Sequence, residues 1–255
     1  MRVAAGTSGF SYKEWVGSFY PPKLPSSRML QFYAEQLPTV ELNNTFYRMP
    51  NEALLKGWNE RTPSSFRFVL KAPRQLTHIK KLTGCEDALA RFTAVARTLG
   101  EKLGPLLFQL PPTFRQDTER LLGFLRLLPS DVRAAFEFRH PSWFNEATYA
   151  ALREHGAALC IAEVDEQTPA LVATANFGYL RLRREDYTPE QIAGWARAIA
   201  SQPFEEVYVF FKHEVRAPAL ALALKEHFRG DSSEKPSLGD SSPPIPGPPA
   251  LASRS

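Results

Sequence analysis

Glu41, Lys71, Gln109, Glu137 and Arg181 each interrupt a short run of β-branched and aromatic residues, near its C-terminal end. A polar group inside an apolar strand is costly to bury unless it is paired or put to use. Glu137 and Glu41 are the residue types for a general base and a general acid, and Lys71 adds a nucleophile or a cationic holding group. Arg139, Arg181, Asn43 and Gln109 supply donors for an anionic substrate. Around them lie Tyr12, Tyr47, His78, His140 and Trp143, interleaved with Arg74, Lys80 and Lys81. Aromatic rings among cations suit stacking on bases or sugars together with phosphate contacts. The competing reading is an internal salt-bridge network of Glu41, Glu137, Lys71 and Arg139. Polar groups on five or more strands, all at one rim, favour a ligand pocket. Phe46 and Phe144 read as caps over the mouth, and His155 and His227 as structural or solvated.

The elements that must position these residues alternate regularly. β-type runs lie at Val3–Thr7, Thr39–Asn43, Phe66–Lys71, Leu106–Leu110, Val132–Phe138, Ala158–Ala162, Phe177–Leu182 and Val207–Phe211. Helical patterns separate them at Ser27–Leu37, Glu52–Arg61, Asp87–Leu103, Thr118–Leu128, Ala147–His155, Pro189–Ala200 and Pro218–Phe228, with a weaker one at Thr168–Ala173. Thr188 is an N-cap followed by proline at the first helical position. Eight strands separated by helices imply parallel pairing through crossovers, and a closed (β/α)8 barrel at this length. An open doubly wound sheet is disfavoured, because Gly6-Thr7-Ser8-Gly9 is not a dinucleotide fingerprint and no phosphate loop occurs. In a barrel, alternate residues point inward. That parity sends Glu41, Asn43, Lys71, Gln109, Glu137, Arg139, Arg181 and Arg183 inside; the face taken by Tyr208, Phe210 and Lys212 is open.

The 255 residues are 44% hydrophobic and 23% charged, with a formal net charge of +4. The two cysteines form no CxxC, which disfavours a disulfide framework or a thiolate zinc site. No signal-type N-terminus or membrane-length apolar run occurs, so a cytoplasmic, soluble protein is expected. The expected organisation is a barrel over residues 1–229 and a disordered Pro/Ser-rich tail over 230–255.

Several motifs in order, among them Gly6-Thr7-Ser8-Gly9-Phe10-Ser11-Tyr12, Val40-Glu41-Leu42-Asn43-Asn44-Thr45-Phe46-Tyr47, Lys71-Ala72-Pro73, Leu106-Leu107-Phe108-Gln109-Leu110-Pro111-Pro112 and Glu137-Phe138-Arg139-His140-Pro141-Ser142-Trp143-Phe144, resemble the YecE-like family, domain-of-unknown-function family 72. The resemblance runs through roughly the first 165 residues and implies a TIM barrel; it brings no established reaction. The chain departs from the family pattern at Glu163-Val164-Asp165 and at Phe211-Lys212-His213-Glu214, so site residues carry over from strands one to five.

Three functions remain open. One is an enzyme acting on a phosphate-bearing or nucleic-acid substrate, such as a phosphodiester hydrolase, with Lys71, Arg139, Arg181 and Lys212 holding negative charge. The second is a carbohydrate-active hydrolase or isomerase, with Glu41 and Glu137 as its carboxylate pair and Trp143 and Tyr12 as stacking platforms. The third is a non-catalytic nucleic-acid or nucleotide-binding protein. No metal ligand is assigned. A divalent cation is compatible with Glu137, Glu163 or Asp165, and His213 or Glu214, but no HxH, HExxH or DxD marks it. A Schiff base on Lys71 needs a desolvated amine; surrounded by Glu41 and Glu137, Lys71 reads instead as a charged binding group.

Overall fold

The computed structural model of the chain describes residues 1–163 and 169–228. Strands β1 (Arg2–Ser8), β2 (Thr39–Leu42), β3 (Arg67–Lys71), β4 (Leu103–Gln109), β5 (Ala134–Glu137), β6 (Ala158–Ala162), β7 (Phe177–Leu182) and β8 (Glu206–Phe211) pair in chain order. All pairings are parallel, and β8 closes on β1 with Arg2 opposite Glu206 and Thr7 opposite Phe211. Helices α1 (Met29–Gln36), α2 (Glu52–Glu60), α3 (Glu86–Ala96), α4 (Thr118–Leu125), α5 (Glu146–Glu154), α6 (Pro189–Ala200) and α7 (Ala217–Glu226) surround the sheet.

Local sequence explains where helices begin. Asn51, Asp117, Asn145 and Thr188 each accept a backbone N–H of the first turn through the side chain, and Thr188 and Gln191 form a reciprocal capping box. Such caps satisfy donors that the helix itself leaves unpaired. The strand alternation then divides the apolar residues into two layers. Val40, Leu42, Phe68, Leu70, Phe108, Phe136, Leu180 and Leu182 pack outward under the helices. Ala4, Val69, Leu107, Ala135, Ala158, Cys160, Tyr179, Tyr208 and Phe210 fill the barrel. Small residues on β1, β5 and β6 leave room for the rings of β7 and β8. At the N-terminal end, Glu206 is held at 2.7 Å by both Arg2 and Arg133, and Arg133 also donates to the Tyr208 hydroxyl at 2.8 Å.

Two departures from the sequence pattern stand out, the first with a local cause. β4 begins at Leu103, earlier than the apolar run suggests, because Gly104 lets β3 approach. A Cβ there would lie 2.9 Å from Val69 Cγ2 and 3.1 Å from the Phe68 carbonyl oxygen. The pattern at 168–173 is not a helix: residues 169–173 carry no regular structure, and 168 lies outside the described residues. The expected tail at 230–255 also lies outside them. Among the described residues, no helix is long and apolar enough to cross a membrane.

Candidate functional site

The C-terminal end of the barrel is organised around Arg181, the penultimate residue of β7. Its guanidinium is buried and donates through Nη2 to Glu41 Oε1 at 2.8 Å and through Nη1 to Glu137 Oε2. Each carboxylate is itself fully buried and held by further donors. Glu41, on β2, receives the Ser8 hydroxyl at 2.8 Å, the Tyr179 hydroxyl at 2.6 Å and the Asn43 amide at 3.0 Å. Glu137, on β5, receives Gln109 Nε2 at 2.6 Å and Arg139 Nε at 3.0 Å, with Arg183 Nη1 3.9 Å away. Burial alone would raise both carboxyl pKa values. Burial is the largest single influence on each, and only Arg181 together with Tyr179, Asn43 and Ser8 at Glu41, and together with Arg139 and Gln109 at Glu137, outweighs it. Glu41 is held below its ordinary value and Glu137 falls to about 2. Both are therefore ionised near neutrality. The network expected as the alternative reading exists, but its centre is Arg181 and Lys71 stands outside it.

Lys71 ends β3 with 9% of its surface exposed. Thr45 Oγ1 fixes its main chain by donating to the Lys71 carbonyl at 2.6 Å. Its Nζ lies 4.3 Å from the centroid of the Phe46 ring. Among the described residues, no hydrogen bond or ion pair holds that ammonium, since Arg181 has taken both carboxylates. Burial first, then Arg181 and Arg139, lower the Lys71 pKa to about 8 against the opposing pull of Glu41 and Glu137. Arg183 and Lys212 are also lowered, first by burial and then by neighbouring cations. Tyr208 and Phe210 lie in the interior layer, which puts Lys212, two residues on, on the inward face. Among the described residues, the cluster thus holds five cations (Lys71, Arg139, Arg181, Arg183 and Lys212) against two carboxylates, a surplus of three. A surplus of this kind attracts anions.

The remaining expected residues divide. Asn43 and Gln109 join the carboxylates as described. His78 sits edge-on to Phe46, with centroids 4.9 Å apart, and is shifted toward its neutral form by burial, then Lys71 and Arg139. Tyr12 donates to the Ser8 carbonyl at 2.7 Å, and Tyr47 is exposed beside Phe46. His140 turns Nδ1 to the Ser142 hydroxyl and amide, capping the turn Pro141–Trp143. Trp143 is not a stacking platform. It is fully buried, stacked on Phe138 at 4.6 Å, with Nε1 donating to the Phe114 carbonyl at 2.7 Å. Ser8 and Tyr179 were not expected in the cluster, although the same inward parity marks both: Ser8 lies four residues after Ala4 and Tyr179 two before Arg181.

The geometry bears on the chemistry expected. Glu41 is a poor proton donor near neutrality, because it is ionised; Glu137, at about 2, is a weak base. The guanidinium of Arg181 fills the space between the two carboxylates, where a glycosidase places its scissile bond. Two of the residues compatible with a cation, Glu163 and His213, are engaged elsewhere. Glu163 receives the Tyr187 hydroxyl and pairs with Arg184 at 2.7 Å, and His213 Nδ1 accepts the amides of Val215 and Arg216. Asp165 lies outside the described residues. Among the described residues, no group of three or more His, Cys, Asp or Glu is placed to hold a metal.

Comparison with known proteins gives one family, described as a protein of unknown function, DUF72, matching residues 4–244. Protein YecE of Escherichia coli (strain K12) is 34% identical over 116 residues, 45% of this chain and 43% of YecE. Protein YunF of Bacillus subtilis (strain 168) is 32% identical over 140 residues, 52% of this chain and 50% of YunF. The chain thus spans about half the length of the curated relatives it matches. A crystal structure of a DUF72 family protein from Thermotoga maritima is similar with a TM-score of 0.80 at 28% identity, covering 89% of this chain and 99% of that one. A DUF72 family protein from Enterococcus faecalis is similar in fold, with a TM-score of 0.75 at 21% identity over 91% of this chain and 97% of that one.

Proposed function

This chain belongs to the DUF72 family, and we propose that the C-terminal end of its barrel binds a small ligand carrying phosphate. The observation that carries the reading is the surplus of cations once Arg181 has consumed both carboxylates. Among the described residues, Lys71, Arg183 and Lys212 then face one region in excess of its anions, Arg183 reaching Glu137 only at 3.9 Å, and a phosphate would offset the cationic repulsion that adds to burial in lowering their pKa values. Active sites of such barrels lie at this end. A small ligand is favoured over a nucleic-acid strand because these groups converge within the rim rather than along a surface track. Hydrolysis with Glu137 as base and Glu41 as acid is disfavoured by their ionisation, which directs attention to Lys71.

The test is calorimetric titration with inorganic phosphate, sugar phosphates and nucleoside monophosphates at low salt. Binding that weakens with added salt, and weakens further in Arg183→Met and Lys212→Met, is expected. Absence of binding at millimolar concentrations of every phosphate ligand would overturn the proposal.

A further inference from the structure

Lys71 has three properties that a merely structural lysine rarely combines. It is buried at the catalytic end of a barrel strand. Among the described residues its ammonium has no carboxylate partner, although Glu41 stands on the adjacent strand β2 and Glu137 on β5, two strands away. Its carbon chain ends over the Phe46 ring, which supplies an apolar floor. From this geometry we infer that Lys71 is a covalent attachment point for a carbonyl compound bearing an anionic group, through an imine at Nζ. The anionic half of that description rests on the function proposed above.

The chemistry balances within the site and solvent. The neutral amine adds to the carbonyl carbon, forming a C–N bond as the carbonyl oxygen takes up a proton. The resulting carbinolamine expels water, and C=N replaces C=O. Nothing is oxidised or reduced, and water is the only product released. The groups facing the amine keep it reactive: Arg181 from β7, Arg139 beyond β5 and the burial of β3 disfavour its charged form, against Glu41 from β2 and Glu137 from β5. His78, on the same Phe46 ring, contributes no opposing negative charge. With a pKa of about 8, the amine is neutral in about a tenth of molecules at pH 7, some 300-fold more than at the ordinary 10.5.

The experiment treats the full chain with pyridoxal 5′-phosphate, an aldehyde that carries phosphate, reduces with borohydride and maps the label by peptide mass spectrometry. Lys71 should be the predominant site, labelled at least about tenfold above the lysines of the exposed surface, given a neutral fraction some 300-fold above the ordinary one. Inorganic phosphate should protect it, and the label should vanish in Lys71→Arg, which keeps the charge. A parallel arm uses pyridoxal, which lacks the phosphate. Equal labelling of Lys71 by both aldehydes would support the imine and overturn the phosphate reading. Phosphate-competable binding of pyridoxal 5′-phosphate with Lys71 left unlabelled would overturn the imine and leave the phosphate reading standing.

Discussion

Replacing Lys71 by methionine should make the protein more stable at neutral pH. The folded chain holds this amine at about 8, whereas the unfolded chain restores the ordinary 10.5. The folded state therefore resists protonation. Its cost is absent above the unfolded value, grows as pH falls toward 8 and is constant below that. Two and a half pH units correspond to about 3 kcal/mol at pH 7 and about 1.4 kcal/mol at pH 9.5. The contact between ammonium and Phe46 offsets roughly 1 kcal/mol of this. Methionine keeps similar bulk and can contact the ring through sulfur. The expected gain is thus about 2 kcal/mol at pH 7, falling to about 1.4 kcal/mol at pH 9.5, where the folded amine is neutral and makes no ammonium–ring contact. Urea unfolding of both proteins at the two pH values, in chloride without phosphate, reads this difference directly. Millimolar phosphate should narrow the gap at pH 7 by stabilising the wild type alone. A Lys71→Met protein less stable than wild type by about 1 kcal/mol at pH 7 would mean that the ammonium is paired, and would refute the reasoning.

Three further outcomes follow from the buried network. Glu137, at about 2 in the folded chain and 4.5 when exposed, contributes stability that is complete above pH 4.5 and lost as pH falls through 2. Acid unfolding should show that loss, about 3 kcal/mol, in wild type but not in Glu137→Gln, whose stability at pH 7 should already be lower. Arg181→Met leaves two buried carboxylates facing each other and should cost about 3–5 kcal/mol at pH 7. Their pKa values then rise, so thermal unfolding of this variant should recover part of that loss between pH 7 and 5, a range over which Glu137 leaves the wild type unchanged. Trp143→Phe removes the hydrogen bond to the Phe114 carbonyl and should cost about 1–3 kcal/mol in urea unfolding while leaving phosphate affinity unchanged.

The alternation of apolar residues carried most of this architecture. All eight strands lie where the β-type runs occur, and inward parity correctly turned Glu41, Lys71, Gln109, Glu137 and Arg181 into the barrel. Thr188 and Pro189 marked the start of α6 to the residue, because capping is local chemistry. Partnership was not legible. Arg181 meets Glu41 across a separation of 140 residues, and nothing in either segment says that one guanidinium takes both carboxylates. That single fact reverses the expected acid role of Glu41 and frees Lys71. Trp143 was misleading for the opposite reason. It follows the rim residues Arg139 and His140 closely in sequence, yet the short turn at Pro141–Trp143 swings its ring back beneath the rim onto Phe138.

The same guanidinium bears on how the barrel assembles. Its partners come from β2 and β5, and it arrives only with β7, 44 residues after the nearer of them. Until then, a growing chain carries two carboxylates that favour water over the interior. β7 brings the Arg181 guanidinium and the Tyr179 hydroxyl in one strand, so closing the barrel and completing the charge matching of Glu41 are coupled.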